Sequence, residues 1–228
     1  MHKYILFFSI LLLTSCSKKY DIAILGDSIS TEDGRSNILH DSTYVGLLET
    51  KYSVYVDAVA GSSIISGGQS DTVDFTNDSR IKNITSSNSK IILVFGGIND
   101  FLQDLPLGKV GDISKTASFY GALDYLYKNL KKNNPNSKIY HLTPLHTLFI
   151  QSGGLSPEFN GKNYLADYKK AIFVMSKKYN IQVIDGDKTG ITTSNINNLS
   201  DDGLHIKEKG HKLIFDLIMN EIKFQKNT

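Results

Sequence analysis

A serine hydroxyl becomes a useful nucleophile only beside a base, and an imidazole base works best when a carboxylate fixes its tautomer. Two short segments of this chain supply those residue types. Gly26-Asp27-Ser28 closes an apolar run, so a turn there can expose the Ser28 hydroxyl. Asp202-Gly203-Leu204-His205 sets a carboxylate three residues before an imidazole. Within one turn that carboxylate can accept from Nδ1–H and leave Nε2 free as the base. Two further segments offer hydrogen-bond donors. In Ala60-Gly61-Ser62, a glycine lets the backbone approach a ligand closely and aim an N–H at it. In Gly96-Gly97-Ile98-Asn99-Asp100, the Asn99 amide can donate into the same region. Each segment alone also has an ordinary reading: a turn glycine, an Asn or Asp capping a helix or turn, an acidic residue ahead of the last helix. Ser28 does not sit in a G-x-S-x-G elbow, a pattern that occurs nowhere in the chain.

The elements that must hold these residues are legible from hydrophobic periodicity. Asp21–Leu25, Val54–Ala58, Ile91–Phe95, Ile139–Thr143 and Ile181–Asp185 are short, rich in Ile and Val, and apolar at nearly every position, as strands covered on both faces are. Amphipathic helices are predicted between and after them. In Thr116–Lys132, residues Phe119, Leu123, Leu126, Tyr127 and Leu130 recur every three or four positions. Asn163–Tyr179 and Lys207–Lys223 repeat the pattern. Strand and helix in alternation imply parallel strands with right-handed crossovers, hence one three-layer α/β/α domain over residues 20–228. In such sheets ligands bind beyond the carboxyl ends of the strands. The Ser, Gly and Asn segments each follow a predicted strand, and the Asp/His segment precedes the final helix.

Taken in order, Gly26-Asp27-Ser28, Gly61, Gly97-x-Asn99-Asp100 and Asp202-x-x-His205 resemble the four motif blocks of the SGNH, or GDSL-type, hydrolase family. The resemblance runs from Tyr20 to about Ile222, and the stretch Phe95–Phe101 with Pro106-Leu107-Gly108 looks like a bacterial branch of that family. It implies a flavodoxin-like five-stranded sheet of order 2-1-3-4-5. It implies that Ser28 is the nucleophile, that His205 is the general base and then acid, and that Asp202 orients the ring. The oxyanion would be held by the Ser28 and Gly61 backbone N–H groups and the Asn99 amide. No metal or organic cofactor is required. Asp27 and Asp100 are expected to brace their turns rather than to react.

The first residues read as an address. Lys3 precedes the apolar run Tyr4–Leu13, which is too short for the roughly 20 residues of a transmembrane helix and fits a signal peptide. Leu13-Thr14-Ser15-Cys16 resembles the lipobox of bacterial lipoproteins, in which the cysteine is lipidated and the chain is cut just before it. Residues 1–15 are then a leader, Cys16 a membrane anchor and 16–19 a short tether, with the domain held in the bacterial cell envelope. Cys16 is the only cysteine of the 228 residues, which excludes an internal disulfide and a cysteine-rich metal site. With 25 Lys and Arg against 23 Asp and Glu, and no basic stripe, nothing points to nucleic acid. No feature specifies an oligomeric state.

The predicted partner is a small-molecule or glycan ester. Ser62–Asn77 and Leu145–Asn160 are the longest loops expected to border the cleft, and both are polar. A long acyl chain needs an apolar slot. The expected substrate is therefore a short acyl ester, acetyl above others, on a carbohydrate. The alternatives are a lipase, lysophospholipase or thioesterase of the same family, an O-acyltransferase, and a binding lipoprotein without turnover. The chain lacks Trp, but its 12 Tyr can stack on sugars. Of the remaining histidines, His146 follows the fourth strand and either lines the pocket or lies on a surface loop. His211 is expected to be structural, and His40 and His141 carry no signal.

Overall fold

The computed structural model describes residues 19–68, 74–150 and 156–222. The leader segment 1–15 and Cys16 lie outside the described residues, as do parts of both long loops. Five strands, β1 (Ile22–Gly26), β2 (Val54–Ala58), β3 (Ile91–Phe95), β4 (Lys138–Leu142) and β5 (Gln182–Ile184), form one sheet of order β2-β1-β3-β4-β5. Every pairing is parallel. Among the described residues six α-helices accompany it: α1 (Tyr44–Glu49), α2 (Asp78–Ser86), α3 (Ile98–Leu102), α4 (Phe119–Asn133), α5 (Leu165–Tyr179) and α6 (Glu208–Glu221).

Side-chain alternation along the strands builds two cores. Ala23 and Leu25 of β1 and Ile92 and Val94 of β3 pack on one face, with α2, α4 and α5. Ile22, Ile24, Ile91 and Leu93 point the other way, against α1 and α6. The predicted three-layer α/β/α arrangement and strand order are thus those of the molecule. The expectation of strands covered on both faces holds for β1 and β3, which are buried throughout. It fails for β2, half-buried along its length, because β2 is an edge strand with a neighbour on one side only.

Register makes the functional edge flush. Gly26 pairs with Ala58 on one side and with Phe95 on the other, and Phe95 pairs with Leu142. The chain therefore leaves β1, β2, β3 and β4 at one level, and the Ser28, Gly61 and Asn99 segments emerge side by side. The last two helices begin close to their predicted starts. α4 is capped by the Ser118 side chain, which accepts from the Gly121 N–H, and carries Lys131 and Lys132 in its last turn, where the helix dipole favours cations. The shorter helices α1, α2 and α3 were not expected. Among the described residues no helix is long and apolar enough to cross a membrane.

Candidate active site

Ser28 opens a 3-10 turn directly after β1, held by contacts that leave little freedom. The Asp27 carboxylate accepts from the Ile29 N–H at 3.1 Å. The Ser30 and Tyr44 hydroxyls are hydrogen-bonded at 2.6 Å. Gly26 is required at the strand end: a Cβ there would lie 2.3 Å from the Ser30 hydroxyl oxygen. From the neighbouring layer the buried Arg80 reaches in. Its Nη2 donates to the Gly26 carbonyl at 2.9 Å and to the Asp57 carbonyl at 2.8 Å. Its Nε donates to the Asp57 carboxylate at 2.6 Å, and the guanidinium lies 5.0 Å over the Phe75 ring. One side chain thus ties the ends of β1 and β2 together. Burial pushes the Asp27 carboxyl up to about 7, against the Ile29 amide bond and the Arg80 charge, which draw it down.

His205 arrives from the turn before α6. Its Nε2 lies 3.0 Å from the Ser28 Oγ, and its Nδ1 lies 2.6 Å from Asp202 Oδ2. The other carboxylate oxygen of Asp202 accepts from the Ser200 hydroxyl at 3.0 Å, the Leu204 N–H at 2.9 Å and the His205 N–H at 2.7 Å. Partial burial alone would raise this carboxyl; the hydrogen bonds from the His205 ring and the two amides outweigh it and hold Asp202 at about 2. A carboxylate so far below neutrality stays ionised and accepts from Nδ1–H, the tautomer that leaves Nε2 facing the serine. Ser28, His205 and Asp202, singled out from different ends of the sequence, therefore form one hydrogen-bonded line.

The donor segments meet each other beyond the carboxyl ends of β2 and β3. Gly61 adopts φ 77°, a left-handed conformation that a residue with a Cβ disfavours. Its carbonyl accepts from the Gln103 amide at 3.1 Å, and the next carbonyl, Ser62, accepts from Asn99 Nδ2 at 2.9 Å. An amide nitrogen carries two protons, so one fastens the loop and the second remains to donate. Asp100, expected to brace its own turn, braces a different segment. It reaches the loop after β2, where its two oxygens accept from the Ile64 N–H at 2.8 Å and the Ile65 N–H at 2.9 Å. Complete burial pushes its carboxyl up to about 7 in spite of those amides. Asp27 does brace its own turn.

Beside this line lies a small cleft of about 250 Å³, its open mouth included, walled by Ile29, Phe95, Ile98, Pro144, Leu145 and Leu204. Ile29 follows Ser28, Ile98 precedes Asn99 and Leu204 precedes His205, so the cleft adjoins all three segments. His146 lines it as well, and does not sit free on a surface loop: its Nδ1 is 2.8 Å from Glu158 and its Nε2 3.2 Å from Asp187. His211 and His141 are fully buried, and desolvation pushes each down to about 4. His211 Nδ1 accepts from the Tyr44 N–H at 3.2 Å, a structural role. His141 bonds to the Tyr127 hydroxyl at 2.6 Å and to the Gly96 carbonyl at 3.3 Å, bracing the end of β3. His40 bonds to Glu49 at 2.6 Å on the surface. Among the described residues no cluster of His, Cys, Asp or Glu could hold a metal.

A serine, an imidazole and a carboxylate in line at the carboxyl edge of a parallel sheet define a serine hydrolase of α/β/α architecture. The sequence model of the GDSL-like lipase/acylhydrolase family matches residues 24–213, and the chain belongs to that family as an ester-hydrolysing serine hydrolase. No curated protein matches the chain. Among solved structures, a protein from Lactobacillus plantarum superposes with TM-score 0.73 at 28% identity, over 89% of this chain and 96% of that one. An acetyl xylan esterase superposes with TM-score 0.61 at 19% identity, covering 89% and 99%. A mutant of an acetyl-xylooligosaccharide esterase from a Geobacillus species superposes with TM-score 0.58 at 16% identity, covering 92% and 96%. The last two likenesses are of fold.

Arg80, Gln103, Glu158 and Thr147 had no signal in the sequence. Arg80, Gln103 and Thr147 act on backbone atoms at least 42 residues away and Glu158 on one across its own loop, and nothing in the local context marks such contacts.

Proposed function

We propose that this enzyme removes short acyl groups, acetyl above others, from carbohydrate esters through an acyl-enzyme on Ser28. The observation that carries the reading is the line from Ser28 Oγ through His205 to Asp202, with separations of 3.0 and 2.6 Å. In this reading Ser28 Oγ forms a bond to the acyl carbon while His205 Nε2 takes its proton. Asp202, ionised, stabilises the imidazolium. His205 then delivers the proton to the departing sugar oxygen. Water gives a proton to the same nitrogen and attacks the acyl carbon; the acyl–Oγ bond breaks, His205 returns the proton to Ser28 Oγ, and the acid leaves. The negative oxygen formed in each half is held by the backbone N–H groups of Ser28 and Gly61 and by the free proton of the Asn99 amide.

The make-up of the cleft supports a small acyl group: its apolar side chains Ile29, Ile98, Leu145 and Leu204 stand beside the Ser28, Asn99 and His205 segments, and Asp27 and His146 line it as well. Support for carbohydrate comes from the two fold neighbours that are acetyl xylan and acetyl-xylooligosaccharide esterases. In the same reading Cys16 carries the lipid that holds the enzyme in the cell envelope; labelling with a lipid probe, lost in Cys16→Ser, tests that part.

The chemical test is a panel of aryl esters from acetate to octanoate together with acetylated and deacetylated xylooligosaccharides. Hydrolysis of acetate and release of acetate from the glycan are expected, with activity falling steeply beyond four carbons. Ser28→Ala and His205→Ala should each lower kcat by about 10⁴–10⁶. Wild-type rates in both variants would overturn the mechanism, and a preference for octanoate would overturn the substrate class.

A further inference from the structure

The turn carrying Asp202 and His205 is bonded to the segment after β4 at one atom. The Gly203 carbonyl accepts from the Thr147 hydroxyl at 2.8 Å and from the Leu148 N–H at 2.9 Å. Contact is close enough that a Cβ on Gly203 would lie 3.0 Å from the Leu148 Cβ. Both donors belong to the segment that follows β4, so the height of this turn above the sheet is set by where that segment lies. Asp201 and Asp202 on the turn are exposed.

Something must in turn hold Thr147, and Glu158 does so. One of its carboxylate oxygens accepts from the Thr147 N–H at 3.0 Å and from His146 Nδ1 at 2.8 Å. The opposite edge of the His146 ring faces Asp187, which also accepts from the buried Lys169. Glu158 reaches this position with φ +61°, in the left-handed region that a residue bearing a Cβ disfavours. Non-glycine residues held there concentrate where the surrounding structure needs them. Its own carbonyl accepts from the Leu165 N–H at 3.0 Å, fixing it to the start of α5.

We infer that Glu158 is a positioning residue for the acid–base half of the site. It fixes Thr147, Thr147 fixes the Gly203 carbonyl, and that carbonyl sets the distance of His205 from Ser28. The inference rests on the reading of Ser28 and His205 as the reacting pair. A displacement of about 1 Å in such a pair can cost on the order of 10²-fold in rate.

The experiment compares Glu158→Ala, Glu158→Gln, Thr147→Val, Thr147→Ser and Ser28→Ala with the parent protein, on an aryl acetate, with folding followed by circular dichroism. Glu158→Ala and Thr147→Val are expected to lower kcat about 10–100-fold with KM within twofold. Thr147→Ser keeps the hydroxyl and should keep the rate, and Glu158→Gln, which keeps an acceptor for the Thr147 N–H, should recover most of it. Should Glu158→Ala fail to fold, Thr147→Val tests the decisive bond directly. Folded Thr147→Val with the parent kcat, a loss confined to KM, or no difference between Thr147→Ser and Thr147→Val would overturn the inference. Parent-like activity in Ser28→Ala, or an inert parent protein, would instead overturn the reading beneath it.

Discussion

The two halves of the site are built from different materials. Ser28 and Asn99 lie on the 3-10 turn and the short helix α3 that follow adjacent central strands, where Asp27, Asp100 and Arg80, all nearly inaccessible to water, fasten backbone to backbone. His205 and Asp202 lie on an outer turn, with the Asp202 side chain 42% exposed, held by the Gly203 carbonyl and by bonds within the turn itself. The nucleophile half inherits its rigidity from the sheet. The acid–base half lies outside the sheet and depends on bonds at a few atoms, the Gly203 carbonyl above all, which takes the Thr147 hydroxyl and the Leu148 N–H. Mutations of the bracing residues should therefore register mainly as stability in the first half and mainly as rate in the second.

The sharpest way to break that contrast is Asp202→Asn. Asparagine keeps the size but presents an amide where the His205 Nδ1–H needs an acceptor 2.6 Å away, so the ring can settle in the wrong tautomer. A fall of about 10⁴ in kcat is expected, with the unfolding midpoint nearly unchanged. Steady-state kinetics with a thermal melt checks both; a large drop in the melting temperature would show that the outer turn carries stability after all. Next in size is Asn99→Ala, expected to lower kcat by about 10²–10³ through loss of one oxyanion donor. Because Asn99 also holds the Ser62 carbonyl at 2.9 Å, this variant should lose stability too, by about 1 kcal/mol in urea unfolding.

The same division decides what could be read from sequence. The strands β1 and β3 announce themselves because both faces are buried and every position is apolar. Ser28, Asn99, Asp202 and His205 were legible because each stands at a strand end or just before a helix, where a polar side chain has a cleft to face. α1 and α3 span six and five residues, too few for a period of 3.6 to show. α2 buries only Arg80, Ile81 and Ile84, so its apolar stripe is faint, although Asn77 at its start is an ordinary cap. The braces were the illegible part. Asp100 looked like a local cap and instead reaches a loop 35 residues earlier. Contacts of that kind follow from the fold and leave no mark in the local pattern.

Acidity offers a further way to separate the halves, because the two sets of carboxyls shift in opposite directions. Asp27 and Asp100 rise from an ordinary 3.8 to about 7 when folded. Between these limits the native protein binds more protons than the unfolded chain. Their contribution to stability is therefore present at low pH and lost as pH rises from about 4 to 7, with a slope of at most about 1.4 kcal/mol per pH unit for each group. Asp202 falls from 3.8 to about 2, so its contribution is present above 4 and lost as pH falls towards 2; its exposure keeps that contribution small. His141 and His211, held down to about 4 by burial, contribute with the opposite sign over much of the same range, so the carboxyl is read as a difference: the urea midpoint of Asp100→Asn relative to the parent should rise between pH 4 and 7. An identical pH profile in Asp100→Asn would remove the buried carboxyl as its source.

The smallest effect is the most discriminating, because it deletes one hydroxyl from each half. Tyr44→Phe removes the partner of the buried Ser30 hydroxyl, now bonded at 2.6 Å, and leaves the ring to fill the same space against His211. Losing one bond of this kind costs about 1 kcal/mol. The Ser28 turn keeps its Asp27 cap and its strand, so kcat should change less than threefold. Thr147→Val deletes a hydroxyl of similar worth, bonded at 2.8 Å, but at the anchor of the outer turn. There the expected order is reversed, with a larger loss in kcat than in stability. Urea unfolding and steady-state kinetics on the two variants side by side decide between the halves. If both variants lose rate and stability in the same proportion, the site is held as a single body, and the distinction between a sheet-borne nucleophile and a bond-borne base falls.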